Sequence, residues 1–104
     1  MNEELLRAIQ ALVKARDYGF TVHGFEQAEE RDITPEEIER ALLAANAEII
    51  EDYPEDERGA CCLILGWTED RRPLHVQVCY PPLVEVVTVY EPDEARWRDF
   101  RKRR

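Results

Sequence analysis

The chain is poor in the residues that announce the commoner enzyme chemistries. Four glycines in 104 residues leave no P-loop and no G-x-G-x-x-G turn to cradle a nucleotide phosphate. The three cysteines, Cys61, Cys62 and Cys79, include an adjacent pair, lack C-x-x-C spacing and make a poor disulfide framework. Neighbouring strand residues point to opposite faces, so Cys61 and Cys62 are badly placed to share one ion. No metal and no cofactor are expected. No apolar run approaches the ~18 residues of a membrane span, and the N-terminus lacks the basic and apolar regions of a secretory signal. The expectation is a cytoplasmic protein with reduced thiols and no membrane association.

Positive charge is also scarce. Fourteen basic residues face 23 acidic ones, a net charge of −9. The balance is uneven. Residues 96–104 hold six basic residues and one acid, a net of +5, which leaves eight basic and 22 acidic residues, or −14, for residues 1–95. An acidic body repels a phosphate backbone, which argues against a general nucleic-acid binder. The last four residues, 101–104, read as a solvated basic tail.

What is present fits one domain over residues 1–104, with one modest core. It divides into an N-terminal helix within 1–17, a core over 20–100 and the tail. The only linker candidate, Asp52 to Arg58, is too short to separate domains. Residues Glu3–Arg16 carry Leu5, Ile9, Leu12 and Val13 at helical spacing, with Asn2 as N-cap. Phe20 to His23 reads as a short extended piece leading into a helix over Gly24–Arg31. Thr34-Pro35-Glu36-Glu37 is a helix start, with a capping box between Thr34 and Glu37. That helix runs to about Ala45.

Strands follow. Ala47–Tyr53 reads as an edge strand. Ala60–Trp67 is apolar without alternation, the pattern of a strand buried on both faces. In Leu74–Tyr80, Leu74, Val76, Val78 and Tyr80 share one face, and His75, Gln77 and Cys79 the other. Pro81-Pro82 stops that ladder. In Val84–Tyr90, alternation puts Val84, Val86, Thr88 and Tyr90 on one face. Asp93 is expected to cap a short C-terminal helix bearing Trp97 and Phe100. The expected fold class is α+β, with N-terminal helices packed on a three- to four-stranded antiparallel sheet.

Histidine titrates near neutrality, so His23 and His75 are the candidates for acid–base work. His75 shares its strand face with Gln77. A register that brings Thr88 and Tyr90 to the same face makes a polar set suited to binding and cleaving an RNA phosphodiester. The bland alternative is that each histidine is packed, with its hydrogen bonds satisfied.

Three segments carry a resemblance. They are His23-Gly-Phe-Glu-Gln-Ala-Glu-Glu-Arg31-Asp-Ile-Thr34, Cys62-Leu-Ile-Leu-Gly-Trp-Thr68 with Arg72-Pro-Leu-His-Val76, and Thr88-Val-Tyr-Glu-Pro-Asp93 with Trp97. Together they resemble a bacterial domain family of unknown function that is similar to the RelE-like and MqsR-like toxins of toxin–antitoxin pairs. The resemblance implies a metal-independent, mRNA interferase-like ribonuclease with an RNA substrate and a small zinc-finger antitoxin-like protein as partner. It carries over to His23, Arg31, Cys62, His75 and Tyr90: His23 and His75 would be the catalytic acid–base pair, Arg31 would hold phosphate and Tyr90 would orient the substrate in the catalytic site, while the polar strand face adds Gln77 and Thr88 as substrate contacts. Gln27 stands where the family pattern has arginine, and Asp32 where it has glycine. The alternative is a non-catalytic interaction module of the same fold. A redox role for Cys61 and Cys62 ranks behind both.

Overall fold

The apolar run at 61–67 becomes the second-innermost strand of a five-stranded sheet, and the rest of the chain is arranged on its two faces. The structure is a computed structural model that describes residues 2–57 and 59–104. Met1 and Arg58, the latter at the end of the expected linker, lie outside the described residues. The elements in order are α1 (Glu3–Lys14), β1 (Gly19–Phe20), α2 (Val22–Glu30), α3 (Pro35–Leu43), β2 (Glu48–Tyr53), β3 (Cys61–Trp67), β4 (Pro73–Cys79), β5 (Glu85–Tyr90), β6 (Trp97–Arg98) and β7 (Lys102–Arg103). The large sheet has the order β1-β5-β4-β3-β2, and β6 pairs with β7 in a separate hairpin.

The α+β class holds, with more strands than expected. β2 to β5 form an antiparallel meander. The unexpected fifth strand, β1, pairs parallel to β5 through Gly19↔Glu85 and Phe20↔Val86. Two residues between α1 and α2 were too few to show a period, so the pairing was invisible in the sequence.

Helices α1 to α3 cover one face. Ile9, Val13, Ile38, Leu42, Ile64, Val76, Val86 and Val89 are buried there in one cluster. α3 begins as its sequence predicts: Glu37 N–H donates to Thr34 Oγ1 at 3.1 Å, and Thr34 N–H to Glu37 Oε1 at 2.9 Å. It lies so close to β3 that a Cβ at Gly66 would sit 2.0 Å from the Ala41 carbonyl oxygen.

Several boundaries differ from expectation. α1 ends at Lys14, and Asn2 makes no side-chain cap bond; its amide donates instead to Asp52 at 3.0 Å. α2 starts at Val22, earlier than expected, because Thr21 Oγ1 accepts from Gly24 N–H at 2.9 Å. His23 is therefore helical rather than extended. Asp32 follows α2 with φ 55°, the left-handed conformation that favours glycine.

The strict alternation expected for 84–90 fails at one place. The β4–β5 register runs His75↔Tyr90, Val76↔Val89 and Gln77↔Thr88, then slips to Val78↔Val86. Val87 is the extra residue of a bulge, and it reverses the facing of everything before it. Val84 and Val86 therefore join the helix-covered core, while Thr88 and Tyr90 face the other side with His75 and Gln77.

The expected C-terminal helix is absent. Asp93 Oδ1 does accept from a backbone N–H, that of Ala95 at 2.9 Å, but in a turn. Asp99 and Phe100 then adopt φ of 53° and 60°, and the chain reverses into the β6–β7 hairpin. Trp97 and Phe100 at i,i+3 imitate a helical stripe. Their actual contacts are edge-on, Trp97 with His75 and Phe100 with Trp67. Nor is the basic tail loose: Lys102 and Arg103 are strand residues, and Arg101 and Arg103 pair with Glu48 and Glu51 of β2.

The substitution Gly66→Ala should lower unfolding free energy by about 1–3 kcal/mol, because the backbone of α3 must move off the sheet. Urea denaturation of the folded variant measures this; an unchanged midpoint would show that α3 does not rest on β3 this closely.

Candidate functional site

The sheet face away from the helices carries the chain's chemistry. β4 presents His75 and Gln77 to it, and the bulge in β5 turns Thr88 and Tyr90 towards it. The C-terminal hairpin lies across one part of this face. Leu65 and His75 are fully buried beneath it, and Trp97 is 4% exposed.

His75 is held on every side. Its Nε2 lies 2.6 Å from the Phe100 carbonyl oxygen and its Nδ1 lies 3.2 Å from the Tyr90 hydroxyl. A carbonyl only accepts, so Nε2 carries the proton, Nδ1 accepts and the Tyr90 O–H donates. The Trp97 ring meets the imidazole edge-on at 4.4 Å and Tyr90 does so at 5.2 Å. Burial pushes the pKa of His75 below its ordinary value, with the Phe100 carbonyl opposing that shift. Burial likewise raises the Tyr90 phenol. His75 is thus a neutral imidazole one layer below the surface.

Beside the hairpin the face stays open as a cleft of about 530 Å³ lined by Arg31, Gln77, Thr88, Tyr90, Glu91, Asp93, Arg96, Trp97 and Arg103. Four of the six site residues expected from sequence line it together: Arg31, Gln77, Thr88 and Tyr90. His75 lies directly beneath, joined through Tyr90. His23 is not among the lining residues; it is exposed in the first turn of α2, at the opposite end of that helix from Arg31. Arg31 reaches the cleft because it follows the last turn of α2, where its Nη1 donates to the Val89 carbonyl at 2.9 Å.

Arg96 and Arg103 also line the cleft, and sequence reasoning did not name them. Both lie in the segment read as helix and tail, and the signal that pointed to them was the density of positive charge after residue 95. Three arginines against Glu91 and Asp93 give the lining a charge of +1, and Glu91 is paired with Arg72 at 3.0 Å. Arg103 is fixed by two bonds to Glu51, at 2.9 and 3.0 Å, and stacks 4.6 Å over the Trp97 ring. Arg96 makes no ion pair with any described residue. The cleft is locally positive on a chain of charge −9. The Nε/Nη2 fork of Arg103 is already filled by the Glu51 carboxylate, which leaves the guanidinium of Arg96 to meet the oxygens of a phosphate or carboxylate.

Among the described residues, no three His, Cys, Asp or Glu side chains gather as metal ligands, and no helix is long and apolar enough to cross a membrane. Fold and site together define a small α+β domain with an arginine-lined cleft on the open face of its sheet. Residues 20–91 match a family described as "Domain of unknown function (DUF4258)", and the chain belongs to that family. No curated protein and no solved structure matches the chain. The matched segment ends just before the turn and hairpin that supply Asp93, Arg96, Trp97 and Arg103 to the cleft.

Because His75 is neutral and buried, unfolding at mildly acid pH takes up a proton. Its contribution is intact above the unfolded imidazole pKa of about 6.5 and is lost as the pH falls towards the lower folded value. Relative to His75→Gln, the wild type should lose up to about 1.4 kcal/mol per pH unit over that interval. Urea unfolding of both proteins between pH 7.5 and 5 tests this; parallel pH profiles would mean that His75 is not held neutral.

Proposed function

We propose that the cleft binds the phosphodiester backbone of RNA and that the protein is a toxin-like, metal-independent ribonuclease of the RelE/MqsR kind, with an antitoxin-like protein as partner. The observation that carries this reading is the convergence of Arg31, Gln77, Thr88 and Tyr90 in one cleft, joined by Arg96 and Arg103, above a hydrogen-bonded His75–Tyr90 pair. The arginines hold a phosphate and neutralise the charge that grows on it in the transition state. Gln77 and Thr88 offer uncharged donors to the ribose and base.

Proton transfer runs through Tyr90. Its oxygen takes the proton of the attacking 2′-hydroxyl while its own proton passes to His75 Nδ1. The resulting imidazolium keeps its Nε2 proton on the Phe100 carbonyl. The lowered pKa of His75 makes this transfer uphill, so turnover is slow and falls as the imidazole becomes protonated in acid. Water reaching the open cleft protonates the departing 5′-oxygen. His23 is outside this scheme.

A second reading is favoured by two observations: both His75 nitrogens are occupied, and the chain is strongly acidic. In that reading the same arginines receive an acidic segment of a partner protein and no bond is cleaved.

Induced expression in a bacterial host, following growth and RNA integrity, separates the two. The ribonuclease reading predicts arrest with RNA cleavage. It also predicts that Tyr90→Phe, at unchanged stability, reduces cleavage about 100-fold or more. Arg96→Ala, which leaves the buried pair intact, should weaken binding of a labelled single-stranded RNA by about tenfold, the loss of one phosphate contact. Intact RNA and normal growth from folded, soluble protein would overturn the ribonuclease and leave the interaction module.

A further inference from the structure

Cys61 and Cys79 face one another across β3 and β4. They are direct register partners, on the same face of the sheet as Gln77. The next pair outward, Ala60 and Tyr80, is hydrogen-bonded: Tyr80 N–H donates to the Ala60 carbonyl at 3.0 Å. In an antiparallel ladder hydrogen-bonded and non-hydrogen-bonded pairs alternate, so Cys61 and Cys79 form a non-hydrogen-bonded pair, the closer kind, with Cα atoms roughly 4.5 Å apart. That separation falls within the roughly 4.4–6.8 Å over which a disulfide closes.

The two thiols differ in access, and the third is segregated. Cys79 is half-buried, whereas Cys61 is 4% exposed. Cys61 Sγ is held on the β4 side, where it accepts from Gln77 Nε2 at 2.9 Å. Cys62 points through the sheet into the helix-covered core, where burial pushes its thiol up to about 12. Neighbours in one strand cannot reach each other on a shared face, so Cys62 is neither reagent nor resolving thiol.

We infer that Cys61 and Cys79 are a reversible dithiol site at the open end of the sheet, oxidised by peroxides to a cross-strand disulfide. Cys79 gives up its thiol proton, which burial makes harder to lose, and its sulfur attacks one peroxide oxygen; an S–O bond forms, the O–O bond breaks, and the departing hydroxide takes up that proton to become water. The Cys61 sulfur then attacks the Cys79 sulfur. An S–S bond forms, the S–O bond breaks, and the Cys61 proton leaves with the hydroxyl group as a second water. Two thiols lose two electrons, and one hydrogen peroxide is reduced to two waters.

The test is exposure of the reduced, full-length protein to hydrogen peroxide, followed by alkylation, proteolysis without reductant and mass mapping. The expected result is an intramolecular Cys61–Cys79 link, with Cys62 left as the one alkylated thiol and full reversal by dithiothreitol. Oxidation should raise Tm by ~5 °C or more, since the crosslink restrains the unfolded chain. The same link should form in Cys62→Ser. Persistence of all three thiols, sulfinic acid at Cys79 without a link, or crosslinks only between molecules would overturn the inference. The wild-type map decides the matter even if a cysteine variant fails to fold.

Discussion

The clamp on His75 is the interaction on which the second face of the sheet depends. A strand buried on one side only needs no histidine at its centre. Here the imidazole donates to the Phe100 carbonyl, accepts from Tyr90 and lies under Trp97, so three distant segments meet at one ring. Truncating a buried tryptophan of this kind costs about 3–5 kcal/mol. The exposed pairs Arg101–Glu48 and Arg103–Glu51 contribute far less, about 0.5 kcal/mol each. Ring packing and the bond from His75 Nε2 to the Phe100 carbonyl therefore hold the hairpin over the sheet.

The hairpin in turn makes the cleft. Without it, Gln77, Thr88 and Tyr90 would be scattered residues on an open sheet, and Arg31 would reach over them alone. It walls one side with Trp97 and brings Arg96 and Arg103 opposite Arg31. The uneven charge of the sequence then has a structural meaning. Part of the basic C-terminal excess neutralises Glu48 and Glu51 on β2; Arg96, unpaired among the described residues, adds positive charge to the cleft beside Arg31. The family match, ending at residue 91, covers the floor of this cleft but not its wall.

Most of the fold could be read from residue patterns, and the failures have local causes. The alternation at 74–80 was legible as a half-buried strand, whereas the apolar run at 60–67 has no period to tell a strand from a buried helix and was read as a strand from Gly59 and Thr68-Glu69-Asp70 on either side of it. The Thr34–Glu37 capping box was legible because its chemistry is local. The bulge at Val87 was not, because an extra residue in a β-branched run leaves the composition unchanged while inverting the facing of Val84 and Val86. The hairpin was misread because Trp97 and Phe100 have helical spacing, whereas the left-handed turn at Asp99 and Phe100 has no glycine to announce it. Four residues of the cleft lining were named from sequence because they lie on regular strands or in a quoted motif. The burial of His75 did not, since it is caused by a segment whose conformation had to be known first.

The most direct test is a nitrogen-15 NMR titration of the His75 imidazole. The clamp predicts a neutral ring protonated at Nε2, with a slowly exchanging proton, persisting below the pH of about 6.5 at which a free imidazole is half-charged. A ring that titrates at that ordinary value, or one protonated at Nδ1, would contradict it. Either result would mean that the hairpin does not close over the sheet and that the cleft is not built as described.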